Sequence, residues 1–147
     1  AQKYGPEVVV QQFIKGVEVT CGVLDDGNAA SARALLPTEI IPKHAALFDY
    51  DAKYLPDASD EIPPARLEQP ILKNIQDAAV RAHQILGCSG ISRSDFIVAK
   101  EGTVYLLETN TIPGLTETSL IPRALSAMGK TYPELLDGII EAGLLRK

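Results

Sequence analysis

The sequence has no run of basic residues; its 14 lysines and arginines are scattered among 19 acids, for a net charge of −5. Nucleic-acid binding needs a basic patch or stripe, so it finds no footing here. No stretch approaches the roughly 20 apolar residues of a membrane span, and a membrane is not expected as a partner. The opening residues lack the basic-then-apolar pattern of a secretory signal. Cysteine is scarce: Cys21 and Cys88 lie far apart without metal-like spacing. They read as two buried free thiols rather than a disulfide, which points to the cytoplasm. His44 and His83 have no acid or nucleophile beside them in sequence and are expected to be structural, as are Tyr50, Tyr105 and Tyr132. No internal repeat is visible. The chain starts at Ala1 rather than Met and enters an apolar run within ten residues, which reads as a piece cut from something longer.

What is present suffices for one core: 147 residues, 46% of them hydrophobic. Val8–Ile14 is rich in β-formers, and Val17–Leu24 alternates at period two, so both are expected as strands. Asp25-Asp26-Gly27-Asn28 has the composition of a hairpin turn. Residues 32–41 give a third strand, with Pro37 placing it near an edge or bulge. These three are expected to form an antiparallel meander. Five prolines between Pro42 and Pro70 mark a long irregular loop, of a kind that is usually functional. From Ile71 to Leu86 apolar residues recur at helical spacing, and Gly87 stops the run. Two strands, 90–99 and 103–108, then flank a turn at Lys100-Glu101-Gly102. Residues 119–128 and 132–145 read as closing helices. The class is α+β: an antiparallel sheet backed by helices, in two layers.

The chemistry concentrates between Arg93 and Leu120. Alternation puts Arg93 and Asp95 on one face of their strand and Phe96 on the other; Glu108 and Asn110 likewise share a face. If the two strands pair, the four polar groups surround one small volume. Two carboxylates there repel unless a cation lies between them, which is the physical motive for a metal. Mg2+ is typically held by one or two carboxylates, an amide oxygen and the phosphates themselves, so the pattern reads as an ATP-using site. Arg93 can steady charge developing on a transferred phosphoryl group. The bland reading is a solvated hairpin with a cross-strand salt bridge. Beyond it, Gly114 permits close backbone approach, and Ser119 is placed to cap the next helix or to help hold an anion at its N-terminus. Glu18 suits a ribose hydroxyl or a plain strand surface, and Lys53 suits phosphate or plain solvation.

Gln11-Gln12-Phe13-Ile14-Lys15-Gly16-Val17-Glu18, Phe48-Asp49-Tyr50-Asp51-Ala52-Lys53-Tyr54, Leu86-Gly87-Cys88, Arg93-Ser94-Asp95-Phe96, Glu108-Thr109-Asn110 and Pro113-Gly114-Leu115-Thr116 occur in this order along the chain. In this order they resemble bacterial D-alanine–D-alanine ligases of the ATP-grasp superfamily, from about Val8 to the C-terminus. The resemblance implies an ATP-dependent ligase that joins two D-alanines through an acyl-phosphate, for peptidoglycan precursor synthesis. Asp95, Glu108 and Asn110 would bind two Mg2+, with Mn2+ an alternative. Arg93, Gly114 and Ser119 would be catalytic. Gln11, Gln12, Phe13 and Ile14 would form the adenine hinge, Glu18 would meet the ribose, and Lys53 would reach the phosphates. Tyr54 would belong to a loop over the site and, with Ser119 and Leu120, meet the second D-alanine. The resemblance also admits a homodimer of the parent protein.

Three positions depart from the family pattern: Gln11 stands where many relatives have glutamate, Gln12 where lysine is common, and Phe48 where tyrosine is frequent. The larger departure is that the N-terminal and central lobes of such enzymes cannot fit before Val8. The chain is therefore expected to be the C-terminal ATP-grasp domain, residues 1–147, with little or no turnover alone. The alternatives are another ATP-grasp carboxylate–amine or D-alanine–D-lactate ligase, or a nucleotide-binding module without catalysis.

Overall fold

Strand β1 (Gly16–Leu24) runs down the middle of the sheet because both of its faces are usable. Val19, Cys21 and Val23 point to one side and are buried, while Glu18, Thr20 and Gly22 point to the other. The computed structural model describes residues 5, 7–43 and 59–145. Around β1 lie β2 (Arg33–Ala34), β3 (Thr38–Pro42), β4 (Ser59–Ile62), β5 (Ile91–Ala99) and β6 (Val104–Asn110). The sheet order is β4-β3-β1-β5-β6, with β2 pairing beside the end of β1, and every pairing is antiparallel.

Helix α1 (Gln69–Ile85) covers one face. Its Leu72, Ile75 and Ala79 recur at helical spacing and pack on Val19, Cys21, Val23, Phe96 and Val98. Phe96 is the largest of the fully buried side chains; truncating such a residue to alanine costs about 3–5 kcal/mol. Helices α2 (Leu120–Ala127) and α3 (Tyr132–Leu145) pack on the opposite face, at one end only. Gly22 makes this possible: a Cβ there would stand 3.0 Å from Leu35 and 3.1 Å from Ile121. The arrangement is thus three layers at that end rather than two. The part of the face that α2 and α3 leave uncovered carries the site.

Other expectations are corrected as well. Residues 8–14 form no strand: Val9 and Val10 are exposed, with no neighbouring strand among the described residues to pair them, and β propensity without a partner does not make a strand. The turn after β1 is a longer connection containing a 3-10 turn at Ala29–Ser31, stapled by Asp25, Asp26 and Asn28 side chains accepting from nearby backbone N–H groups. The strand expected over 32–41 is split into β2 and β3 on either side of Pro37, and β3 lies inside the sheet rather than at its edge. The proline-rich span contains a strand, β4.

The β5–β6 hairpin carries a β-bulge. Val98 pairs with Val104 and Phe96 with Leu106, yet Asp95 pairs with Glu108 and Arg93 with Asn110. Leu107 is the extra residue. Val104 and Leu106 therefore belong to the α1-facing side, while Glu108 and Asn110, of the same parity in sequence, face the other way.

Candidate active site

The register of three strands assembles the site. Thr20 on β1 stands opposite Asp95 on β5, which stands opposite Glu108 on β6; one row along, Gly22, Arg93 and Asn110 align. Arg93 and Asp95 form a two-point ion pair, with Nε 3.0 Å from Oδ1 and an Nη 2.9 Å from Oδ2. The bridge runs along one strand, not across the hairpin. Thr20 adds a third donor, its hydroxyl lying 2.6 Å from Asp95 Oδ1. Asn110 donates an amide N–H to Glu108 at 3.3 Å. On the α1-facing side, Ser94 and Thr109 hydroxyls pair at 2.9 Å and tie β5 to β6 directly beneath these residues.

Two carboxylates and an amide oxygen on adjacent strands are a hard-oxygen donor set that fits Mg2+. Among the described residues no three His, Cys, Asp or Glu side chains gather as a metal cage. A site of this composition leaves positions for water and phosphate oxygens, the usual mode for Mg2+.

The loop after β6 carries the remaining residues. A Cβ on Gly114 would lie 3.1 Å from Ser119 Oγ, so glycine keeps that side chain close to the loop. Ser119 occupies the N-cap position of α2 but makes no side-chain cap bond; its hydroxyl pairs with Thr116 at 2.8 Å instead. Leu120 begins the helix. Tyr132 donates its hydroxyl to Leu115 O at 2.7 Å and pins the loop from α3, a packing role as expected.

Glu18 lies on the same face of β1 as Thr20, half-buried between Ile40 and Ile97. Gln11, Gln12 and Phe13 are exposed and Ile14 half-buried just before β1. Lys53, Tyr54, Phe48, Tyr50 and His44 lie outside the described residues.

Two features escaped the sequence reading. Glu61 on β4 shares the face of Ile40 and Glu18 and accepts a 2.8 Å bond from Arg123 on α2. Burial pushes the Glu61 carboxyl above its ordinary value, and the nearby Arg123 and Arg93 only partly offset this. His83 does have partners: Nε2 lies 2.7 Å from Asp25 Oδ2, and Nδ1 lies 2.7 Å from Ser92 Oγ. Burial pushes the Asp25 carboxyl up, but bonds from His83 and from the Gly90 and Gly27 N–H groups outweigh it and hold it below the ordinary value. Their side chains are 0% exposed, so this cluster has no access to a substrate. The cysteines are free and buried, and burial raises the Cys21 thiol to about 12. No helix among the described residues is long and apolar enough to cross a membrane.

Comparison with known proteins gives the same family. Residues 1–141 match the family described as D-ala D-ala ligase C-terminus. A D-alanine--D-alanine ligase of Desulfotalea psychrophila is 51% identical over 93% of this chain and 42% of its own length. The structure of a D-alanine--D-alanine ligase from Bacillus anthracis complexed with ATP aligns with a TM-score of 0.69 at 33% identity, covering 90% of this chain and 39% of the other. The VanG D-Ala:D-Ser ligase of Enterococcus faecalis aligns with a TM-score of 0.74 at 35% identity, over 89% and 37%. The chain belongs to the D-alanine–D-alanine ligase C-terminal family. It spans less than half the length of these relatives.

Proposed function

We propose that this chain is the C-terminal ATP-grasp domain of a cytoplasmic ligase that joins two D-alanines at the expense of ATP, for peptidoglycan precursor synthesis. The observation that carries the reading is the strand register, which sets Asp95 against Glu108 and Arg93 against Asn110 on the uncovered face. Asp95, Glu108 and Asn110 would hold Mg2+, which when bound neutralises phosphate charge. The γ-phosphoryl group passes to the carboxylate of the first D-alanine. The neutral amine of the second then attacks the acyl-phosphate carbon, phosphate leaves with its bonding pair, and the nitrogen gives up one proton to solvent as the amide forms. Arg93 stabilises the charge that gathers in both steps. Gly114 keeps the loop backbone near the reacting groups, and Ser119 with Leu120 holds the carboxylate of the second D-alanine at the start of α2. Gln11 to Ile14 hold the adenine, where a Gln11 carbonyl still accepts from the amine. Glu18 takes the ribose, Lys53 the phosphates, and Tyr54 covers the second substrate.

Productive geometry needs every reacting group in place, so the lobes that hold the first D-alanine and cover the phosphates are expected upstream of this domain. ADP release from Mg-ATP, with and without D-alanine, tests the reading on the full-length protein and on this chain. D-alanine-dependent release by the longer protein alone is the expected result; no release by it sinks the assignment. Likeness to a D-Ala:D-Ser ligase keeps a second reading alive, a different second substrate. Product analysis with D-alanine, D-serine and D-lactate supplied together separates the two.

A further inference from the structure

We infer that Thr20 is a positioning residue for Asp95, holding the carboxylate in place while Arg93 exchanges its bonds for those of a metal ion; this rests on the metal reading above. Asp95 is held by two kinds of partner. Arg93 spans both oxygens, but it is a long side chain and partly exposed, and its proposed work lies elsewhere, on charge developing in the substrate. Thr20 sits on the central strand, 4% exposed, in register with Asp95 on one side and with the buried Thr38 on the other. Its hydroxyl has one proton and two acceptors in reach, Asp95 Oδ1 at 2.6 Å and Ser94 O at 3.4 Å. The short contact to an ionised oxygen takes it, since charge-assisted O–H···O bonds are the shorter and stronger kind.

The count of lone pairs follows. An ionised carboxylate offers about four acceptor sites, and the three bonds to Asp95 occupy most of them. When Arg93 turns to the substrate, both of its bonds are released and Oδ2 becomes available to a cation. The Thr20 bond to Oδ1 remains through the exchange. A β-branched side chain fixed between two strands has little rotamer freedom, so it fixes the orientation of the Asp95 carboxylate. Arg93 and the cation are thus alternative occupants of one carboxylate, and Thr20 is what they share.

The test is Mn2+ titrated into the full-length protein and followed by the loss of the free-ion electron paramagnetic signal, with no turnover needed. Removing a group that orients a ligand typically costs 10–100-fold in metal affinity. Thr20→Val is expected to weaken Mn2+ by about that factor while metal-free ATP binding stays unchanged, and Thr20→Ser is expected to restore it. Thr20→Ala serves as the second variant should valine prevent folding. Wild-type Mn2+ affinity in a folded Thr20→Val or Thr20→Ala protein overturns the inference alone. Failure of the wild type to bind Mn2+, or unchanged binding in Asp95→Asn, overturns the metal reading and this inference with it.

Discussion

Ser92 and Arg93 are neighbours on β5, yet they serve polar clusters of opposite kinds. Ser92 points toward α1 into the Asp25–His83–Ser92 network, which is sealed from solvent; there Asp25 accepts from Gly27, Gly90 and His83, each at 2.7 Å. Arg93 points the other way, into a cluster where Asp95 is partly exposed and Glu108 exposed. Both groups contain a carboxylate and a nitrogen base. The first is closed and spends its bonding on joining α1, the end of β1 and the start of β5. The second leaves acceptor capacity facing open space. Each aspartate accepts three bonds, so access to solvent, rather than residue type or completeness of bonding, separates the closed cluster from the open one.

The comparison can be broken from either side. The largest effect is expected at the open cluster: Arg93→Ala in the full-length protein should lower kcat by about 10²–10³-fold. Its cost in unfolding free energy should stay under about 1 kcal/mol, because the ion pair is partly solvated. A denaturant curve and a steady-state assay on one preparation measure both numbers. A stability loss as large as that of the closed cluster would erase the distinction.

At the closed cluster the effects reverse. Asp25→Ala leaves buried donors without an acceptor and is expected to cost about 3–5 kcal/mol, read from urea unfolding. Mn2+ affinity of the remaining folded protein should be unchanged.

Acid sharpens the contrast. Asp25 is held below its ordinary pKa, so its contribution is fully present above the unfolded value and is lost as pH falls through the folded one. Wild-type stability should therefore drop below about pH 4, and the Asp25→Asn protein should show a flatter profile between neutrality and that point. Equal slopes for the two proteins would remove Asp25 from the account.

The smallest effect is expected at Glu61–Arg123, where Arg123 is 47% exposed. Arg123→Ala should cost about 0.2–1 kcal/mol, measured by thermal unfolding. A loss beyond 2 kcal/mol would mean that this bridge, and not the apolar packing around Ile121, seats α2.

Much of this was readable from the chain. The spacing of Leu72, Ile75 and Ala79 located α1, and alternation around Asp95 and Glu108 located the hairpin of the proposed site. Those signals are local. Residues 8–14 misled because Val8, Val9 and Val10 have the composition of a strand and no partner to pair with. Strand β4 was hidden among prolines because it is short and owes its existence to β3. The pairs Asp25–His83 and Glu61–Arg123 join residues 58 and 62 apart in sequence. Only the sheet brings them together, so His83 looked solitary. Ser119 was legible as the first position of a helix but not as the partner of Thr116.

The bulge at Leu107 has a consequence for how this strand can vary. A side chain there lies outside the paired ladder and is half exposed, so its identity is weakly constrained. Its place outside the ladder is another matter. Pairing Leu107 into the ladder would carry Glu108 and Asn110 round to the helix-covered side, because a shift of one position inverts every face of a strand, whereas deleting it would leave both opposite Asp95 and Arg93. Position 107 thus tolerates almost any letter and even a gap, but not a seat in the ladder: what it encodes is a slip of register.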